Sequence, residues 1–337
     1  MKRVYAIIQA RTGSSRLPKK IFSKLGGKFL LWHVIDRLKN IAELDGIAIA
    51  TTTKKDDDEI ETFAKGEKQL NNGLAPFAPV KCFRGDEKDV LLRYIKAAEF
   101  LGAEYIIRIT GDAPLICPKT ISDMINLADK NNYDYVSFEP IPAHVFEGVE
   151  LVSLDTLKKI YKISNEAYVH EHVTIYVKEH PDAFNVGFMK VNPKFLKSRF
   201  PFEFKLSVDT KFDLDFMTYI YDKLYNGSTV VDFEKALDLI ESDPDLQALI
   251  KSPTHKSLKT SSIRFGFLTN KFHPDGLSFA RLLRDNFHYG IYIFAKPTEE
   301  ITKLAKDEGF NMISIEDVVN IDDLKRKNSI NFLISYK

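Results

Sequence analysis

Short apolar runs alternate with longer amphipathic segments over the first 240 residues of the chain. The apolar runs, rich in β-branched and aromatic residues, predict strands at residues 4–9, 46–51, 80–84, 105–110 and 133–137. The segments between them carry apolar residues at helical spacing and predict helices at residues 29–39, 56–66 and 86–101. This alternation is typical of an α/β doubly wound fold with a mainly parallel sheet.

The pattern becomes irregular after Pro140. Strand-like sequence returns at residues 184–190. We expect this region to leave the sheet, cover one of its edges and return near residues 205–208. Excursions of this kind often carry specificity for a substrate.

A polar stretch rich in Ser, Lys and Thr, residues 241–262, separates two α/β parts and predicts a short helix followed by a linker. Beyond it, strands are predicted at residues 263–269, 290–295, 311–315 and 331–336. Helices are predicted between them at residues 277–285, 299–308 and 317–327. We therefore expect a main domain at residues 1–240 and a smaller α/β unit, half of a doubly wound fold, at residues 263–337.

Composition excludes several classes of protein. The 337 residues are 44% hydrophobic and 28% charged, which excludes a disordered or collagen-like chain. The formal charge of +1 provides no global field for nucleic acid or an acidic membrane. The two cysteines, Cys82 and Cys117, form no disulfide or zinc pattern, and the apolar run 4–10 is too short for a signal peptide or a spanning helix. We expect a soluble cytoplasmic protein that binds neither nucleic acid nor membranes.

A basic segment without acids follows the first strand, and the first acid of the chain is Asp36. In an open parallel sheet, the loop at the carboxyl end of a central strand is where ligands bind. Glycine and serines let the backbone N–H groups curl inward, and each basic side chain can add a charge-assisted hydrogen bond of about 1.5–3 kcal/mol. The candidate nucleotide-binding residues here are Ala10, Arg11, Gly13, Ser14, Ser15, Arg16 and Lys20.

This segment predicts an anion site that suits a nucleoside triphosphate. It matches neither the phosphate-loop motif nor the dinucleotide-binding motif, which disfavours kinase-type and dinucleotide-binding functions. A solvated basic loop without a ligand is the alternative explanation.

Two aspartates follow apolar runs at places where a metal could bind. Asp112 follows the predicted strand 105–110, and Asp209 ends the apolar run that begins at Leu206. Mg²⁺ binds through one or two carboxylates together with phosphate oxygens, so both are candidate ligands. A turn residue before Pro114 and a helix N-cap, respectively, are the alternative roles.

Six ordered blocks stand out within residues 3–225. They are IIQARTGSSRLPKKI (7–21), LGGKFLLWHVIDRL (25–38), RGDEKDVLLRY (84–94), RITGDAPLI (108–116), EHVT (171–174) and VDT (208–210). Together they resemble the cytidylyltransferase family, and within it the spore coat polysaccharide biosynthesis protein F type. The CMP-sialate and CMP-Kdo synthetases are wider relatives.

The resemblance implies a GT-A-like α/β fold and attack of an acceptor oxygen on the α-phosphorus of CTP, with Mg²⁺ as cofactor and release of pyrophosphate. By position, the residues that resemble the triphosphate cradle are Arg11, Ser14, Arg16 and Lys20. Asp112 and Asp209 resemble the metal ligands, and with Arg16 and Lys20 they form the expected catalytic set. Residues in blocks that lie near the nucleotide in relatives are Arg84, Asp86, Asp89, Thr110 and Gly111. The residues that fall where the acceptor binds are Glu150, His170, Glu171 and His172.

The chain departs from the family pattern at two positions. Lys19 stands where relatives usually have glycine, which affects the expected turn geometry, and Ala113 stands at a variable position after Asp112. Residues 263–337 weakly resemble the opening half-Rossmann segment of sugar N-formyltransferases, without the part that carries that family's catalytic residues. For this unit we expect packing, dimerisation or partner docking rather than formyl transfer.

The main hypothesis is an enzyme that transfers CMP from CTP to an acidic (2-keto acid) sugar or a phosphorylated small acceptor for surface polysaccharide. One alternative is a nucleotidyltransferase that uses GTP or UTP with a sugar 1-phosphate. The other is a non-catalytic nucleotide-binding scaffold. Glycosyl transfer on the same fold is disfavoured, because Gly111-Asp112-Ala113 lacks the Asp-x-Asp pattern. The resemblance also implies a homodimer.

Overall fold

The chain divides into two compact units, Met1–Lys251 and Ser252–Lys337. In the larger unit, the computed structural model describes residues 2–14, 16–66, 80–139, 143–146, 148–200, 202 and 204–251. In the smaller unit it describes residues 264–268, 277–278, 280–281, 290–295, 298–308, 310–314 and 332–335. Within these residues, no helix is long and apolar enough to cross a membrane.

The larger unit is built on a seven-stranded mixed sheet, accompanied by a short hairpin. The strands are β1 Val4–Gln9, β2 Lys24–Leu25, β3 Lys28–Phe29, β4 Gly46–Thr52, β5 Lys81–Gly85, β6 Tyr105–Thr110, β7 Tyr135–Phe138, β8 Glu150–Ser153 and β9 Val186–Met189. β2 and β3 form the hairpin, and the sheet order is β5-β4-β1-β6-β8-β7-β9. β8 runs antiparallel to both of its neighbours, and the other neighbouring pairs are parallel. The predicted α/β class with a mainly parallel sheet is confirmed.

Helices cover both faces of this sheet. They are α1 Leu30–Leu38, α2 Asp58–Ala64, α3 Val90–Leu101, α4 Pro118–Asn131, α5 Leu154–Ile163, α6 Ala167–His172, α7 Ile175–Glu179, α8 Lys211–Leu224, α9 Phe233–Ser242 and α10 Pro244–Lys251. Short 3-10 turns occur at Lys20–Phe22, Lys55–Asp57, Pro181–Ala183, Pro193–Phe195 and Lys197–Arg199.

The central strands are apolar throughout because both of their faces are buried. Along β1, Ile8 joins the core cluster that includes residues of α1, α4 and α8, whereas Ile7 joins the cluster that includes residues of α3, α5 and α6. Both side chains are fully buried. A strand covered on both sides reads as a continuous apolar run, which is why β1 and β6 have the predicted bounds.

The prediction for the region after residue 139 was wrong in two respects. The chain does not only cover an edge of the sheet, because β8 enters it between β6 and β7. Residues 205–208 form no strand; instead, the Val208 N–H donates to the Asp112 carbonyl oxygen at 2.8 Å. The sequence of β8 begins with a glutamate and has only four residues, so its apolar signal is too short to separate from the surrounding irregular pattern.

A buried ionic network explains how β8 can begin with a charged residue. The carboxylate of Glu150 accepts hydrogen bonds from Arg108 on β6 at 2.9 Å, from Tyr135 on β7 at 2.9 Å and from Thr174 at 2.6 Å. Lys178 on α7 forms an ion pair with the same carboxylate. Burial alone would raise the pKa of Glu150, but these partners outweigh burial and lower it to about 2.

The smaller unit has a parallel four-stranded sheet. Its strands are β10 Arg264–Leu268, β11 Gly290–Ala295, β12 Asn311–Ser314 and β13 Phe332–Ser335, in the order β12-β11-β10-β13. Helix α11, Glu299–Glu308, packs Ile301 and Ala305 into its core. The predicted helix at residues 317–327, most of the predicted linker and part of the helix at 277–285 lie outside the described residues.

We predict that Glu150→Gln lowers the free energy of unfolding by about 3 kcal/mol at pH 7, because Arg108, whose side chain is only 17% exposed, then lacks its counter-ion. The folded-state pKa of Glu150 is depressed, so its contribution is present above the unfolded pKa of about 4.5 and is lost as the pH falls towards 2. Urea unfolding between pH 7 and pH 3 measures both effects, and the stability gap between wild type and variant should narrow with acid.

The control for this prediction is Glu99→Gln, which removes an exposed carboxylate that also has two lysine partners. Its cost should stay below about 1 kcal/mol. Equal costs for the two variants would contradict the role given to the buried network.

Candidate active site

The in-register pairing of β1 with β6 sets the position of the candidate site. Gln9 lies opposite Thr110, so the loops that leave the two strands start side by side at the carboxyl edge of the sheet. The Gly111 N–H donates to the Gln9 carbonyl oxygen at 2.8 Å. A Cβ at Gly111 would lie 3.0 Å from that oxygen, so any other residue would push the two loops apart by a few tenths of an ångström.

Asp112 and Asp209 meet at this edge although they are far apart in sequence. The hydrogen bond from the Val208 N–H to the Asp112 carbonyl holds the two segments together. Immediately after Asp209, Thr210 and Asp213 form a reciprocal capping box that begins α8. The N-cap is therefore Thr210, and the side chain of Asp209 is left to face the cleft residues described next.

Lys20 lies between the two aspartates. Its Nζ donates to Asp112 Oδ2 at 2.5 Å and to Asp209 Oδ1 at 2.8 Å. Arg16 Nη2 lies 3.2 Å from the same Asp209 oxygen, and Lys205 forms an ion pair with the other oxygen of Asp209. The structure thus brings together Arg16, Lys20, Asp112 and Asp209, the four residues expected to form the catalytic set.

These contacts hold the charges of the cluster in place. Burial would lower the pKa of Lys20, but the attraction of Asp112 and the hydrogen bonds to both aspartates raise it above its ordinary value. Burial would likewise raise the pKa of Asp209, yet the hydrogen bonds from Lys20 and Lys205 keep it well below the usual range. Lys20 and Asp209 are therefore both charged at neutral pH.

A buried aspartate supports the loop that follows β1. Asp57 Oδ1 accepts hydrogen bonds from the backbone N–H of Thr12 at 2.7 Å and from its hydroxyl at 2.8 Å, and the Thr52 hydroxyl donates to Oδ2. The Thr12 carbonyl oxygen in turn accepts from the N–H of Ser14 at 2.9 Å and of Lys19 at 3.0 Å. Sequence reasoning missed this support, because nothing in the local pattern links residue 12 to residue 57.

The remaining predicted cradle residues lie along the same loop. Ala10 is buried at the end of β1, and the side chain of Arg11 is exposed. A Cβ at Gly13 would meet no atom within 4 Å, so the loop is open on this side. The Ser14 hydroxyl oxygen accepts from the Leu17 N–H at 3.3 Å. Ser15 lies outside the described residues.

Lys19 stands where relatives usually have glycine, and it adopts a left-handed backbone conformation. Its φ of 54° and ψ of 27° lie in the left-handed region, which glycine occupies without a steric cost. The lysine keeps the turn, and its Nζ pairs with Glu59 at 2.6 Å on the surface.

The predicted nucleotide-side residues Arg84, Asp86 and Asp89 are held by local contacts. Arg84 donates to the carbonyl oxygens of residues 52 and 54 and pairs with Asp58 at 2.6 Å. Asp86 accepts from the N–H groups of residues 88 and 89. Asp89 caps α3 by accepting from the N–H of residue 92 at 2.8 Å. The structure brings none of these three carboxylate or guanidinium groups into contact with the pair Asp112 and Asp209.

The predicted acceptor-side residues are split between the interior and the surface. Glu150 is buried in the network described above, and the structure does not present it as a free group. His170 is held at both ring nitrogens, by Asp89 at 2.8 Å and by the Ser164 carbonyl at 2.9 Å. These acceptors outweigh the effect of burial and raise the pKa of His170. Glu171 and His172 are exposed.

A strained turn follows these exposed residues. Val173 has φ 61° and ψ −61°, and the Thr174 N–H donates to the His172 carbonyl oxygen at 2.7 Å. This is a γ-turn, a rare conformation that is costly for a β-branched residue. It directs the Thr174 hydroxyl towards Glu150 in the interior while His172 stays outside.

Sequence reasoning also missed Lys205 and Arg93. Lys205 forms an ion pair with Asp209, but the two residues lie outside any helix, so their spacing of four residues gave no signal for this contact. Arg93 is 2% exposed, and its Nη1 donates to the Asp86 carbonyl oxygen at 2.8 Å, which fixes the loop after β5. An arginine inside an apolar helix face gave no hint of this contact in the sequence.

The donor set of Asp112 and Asp209 fits a divalent cation such as Mg²⁺. Both carboxylates already contact one shared cationic group, the amine of Lys20. In the part of the chain that the structure describes, no cluster of three or more His, Cys, Asp or Glu side chains could hold a metal. A metal here would be held by these two carboxylates and by oxygens of a bound ligand, which is the coordination that Mg²⁺ commonly takes.

Comparisons with known proteins identify relatives of the larger unit. The sequence profile described as Cytidylyltransferase matches residues 5–251. An uncharacterized protein of Methanocaldococcus jannaschii is 35% identical over 257 residues, covering 76% of this chain and 98% of that protein. The spore coat polysaccharide biosynthesis protein SpsF of Bacillus subtilis is 32% identical over 250 residues, covering 73% and 97%. A solved cytidylyltransferase from Leptospira borgpetersenii matches with a TM-score of 0.62 and 26% identity, covering 73% and 97%.

We predict that Lys19→Gly is about 1 kcal/mol more stable than Lys19→Ala, because glycine removes the steric cost of the left-handed conformation. Both variants lose the exposed pair with Glu59, so that loss cancels in the comparison. Urea unfolding of the two variants measures the difference. Equal stability would show that the loop relaxes away from this conformation without cost.

Proposed function

The chain belongs to the cytidylyltransferase family, and on that premise we propose that it transfers CMP from CTP to a small acceptor with release of pyrophosphate. The acceptor we propose is an acidic (2-keto acid) sugar or a phosphorylated small molecule, and the product serves the synthesis of a surface polysaccharide. The name of the Bacillus subtilis relative, a spore coat polysaccharide biosynthesis protein, supports a role in polysaccharide synthesis.

The observation that carries the proposal is the contact of Lys20 with both Asp112 and Asp209 beside the open loop after β1. Two kinds of group lie together at the carboxyl edge of the sheet: cations that can bind phosphate oxygens, and carboxylates that can bind a metal. In parallel α/β sheets this edge is where nucleotides bind.

In the proposed reaction, an acceptor oxygen forms a bond to the α-phosphorus of CTP; this is a hydroxyl oxygen of a keto-acid sugar or a phosphate oxygen of a phosphorylated acceptor. The bond from that phosphorus to the bridging oxygen of the β-phosphate breaks and pyrophosphate leaves, and a hydroxyl acceptor also releases its proton. When bound, the divalent metal would neutralise phosphate charge and lower the pKa of the acceptor hydroxyl. No covalent intermediate with the protein is required.

The side chains of this chain bind and orient the reactants. The N–H groups of the loop around Gly13 and the cations of Arg16 and Lys20 would hold the phosphates and stabilise the charge that develops on pyrophosphate. Asp112 and Asp209 would hold the metal. Asp57 fixes the loop through Thr12, so the N–H groups keep their positions before the nucleotide binds.

The test is a screen for pyrophosphate release. Each of the four nucleoside triphosphates is combined with keto-acid sugars and phosphorylated acceptors, with and without Mg²⁺. Release with CTP, one class of acceptor and Mg²⁺ is the expected result. Release with GTP or UTP and a sugar 1-phosphate would contradict the base assignment, and tight nucleotide binding without any release would favour a scaffold.

We predict that Asp112→Asn lowers the turnover number by about 100-fold or more and leaves the thermal midpoint of unfolding close to wild type, because it removes a charge needed at the reacting phosphate. The matched control is Asp123→Asn, which removes an exposed carboxylate paired with Lys119 and should keep wild-type turnover. Steady-state pyrophosphate release measures both. Near-normal turnover of Asp112→Asn would rule out its assignment as a metal ligand.

A further inference from the structure

The amine of Lys20 occupies the position between Asp112 and Asp209 that a bridging cation would take. Its distances of 2.5 and 2.8 Å to the two carboxylates leave no room for a second cation between the same oxygens. The side chain of Lys20 is only 13% exposed, and those of Asp112 and Asp209 are 20% and 23% exposed. In this setting ionic contacts are stronger than in bulk water.

The charges of the surrounding cluster are balanced without any ligand. Three cations, Arg16, Lys20 and Lys205, contact Asp209. Lys20 also contacts Asp112, and Lys205 lies 3.4 Å from a carboxylate oxygen of Asp213. Three carboxylates therefore face three cations. A free divalent ion would add two positive charges to this neutral cluster and would have to displace Lys20 from both acids.

A nucleoside triphosphate changes this balance, because it brings about four negative charges. Its phosphate oxygens offer Lys20 a new partner of the same chemistry as the carboxylates, since a lysine amine is a compact charge on a flexible chain. Once Lys20 binds phosphate, the oxygens of Asp112 and Asp209 become available to a metal. The cation that enters with the phosphates then meets a site with an excess of negative charge.

We propose, resting on the proposed function, that Lys20 is an internal counter-ion that excludes free divalent cations from the acids until the nucleotide arrives. The empty site therefore binds the metal–nucleotide complex and not the free metal. By linkage, the metal raises the affinity for nucleotide by the same factor by which the nucleotide raises the affinity for metal.

The test measures Mn²⁺ binding to the full chain by electron paramagnetic resonance, without nucleotide, for wild type and Lys20→Ala. Wild type should bind free Mn²⁺ weakly, and Lys20→Ala should bind it at least about 10-fold more tightly, because both carboxylates lose their internal partner. Lys19→Ala is the matched control: it removes the neighbouring lysine, which pairs with Glu59, and should behave as wild type. Lys205→Ala, which leaves Lys20 between the acids, should gain less than Lys20→Ala.

A second measurement tests the coupling between metal binding and nucleotide binding. Calorimetric titration of CTP in the absence of acceptor, with and without Mn²⁺, should show tighter CTP binding with the metal in wild type and a smaller metal effect in Lys20→Ala. If Lys20→Ala unfolds at the assay temperature, Lys20→Met, which keeps most of the side-chain volume, replaces it.

Unchanged or weaker Mn²⁺ binding by the folded Lys20 variant would overturn the inference. Failure of the proposed function gives a different result, because it appears as absence of pyrophosphate release by wild type with CTP in the screen described above, whether or not CTP binds. The comparison of Mn²⁺ affinities without nucleotide still measures the role of Lys20. Tighter Mn²⁺ binding by Lys19→Ala as well would show a general charge effect and would also overturn it.

Discussion

The parallel, in-register pairing of β1 with β6 is the constraint on which the candidate site depends. It ends both strands at the same level, and the Gly111 N–H then bonds to the Gln9 carbonyl across the two loops. A slip of one residue would turn every side chain of β1 to the opposite face of the sheet and separate the loop from Asp112. The burial of β1 on both faces, with Ile7 and Ile8 in different core clusters, makes such a slip costly.

The parts of the fold that local patterns determine were predictable. The bounds of β1 and β6 agree with the apolar runs, and the family and fold class inferred from the six blocks are confirmed. β8 was not predictable, because its place depends on an ionic network that joins Glu150 to residues of β6, β7 and α7. The hydrophobic pattern shows which residues are apolar, but it does not show that a buried carboxylate is paired with cations from other elements.

The candidate site likewise has parts that the sequence predicts and parts that it does not. The acid-free loop and the two aspartates were visible in the sequence, and the structure brings Arg16, Lys20, Asp112 and Asp209 into contact. The supports of this cluster were not visible, because Asp57 and Lys205 act through contacts that only the folded chain creates. The roles of these residues, the domain boundaries and the resemblance of the last 75 residues to formyltransferases stay predictions.

The sheet order also determines when the site can form during synthesis. One of the two neighbours of β1, β6, is made about 100 residues after β1, and Asp209 follows about another 100 residues after that. At translation speeds of about 5–20 residues per second, the nascent chain spends roughly 10 to 40 seconds with β1 made and its site incomplete. The edge of β1 that pairs with β6 lacks this neighbour for about half of that interval, so its backbone N–H and C=O groups are open to non-native pairing while the chain is being made.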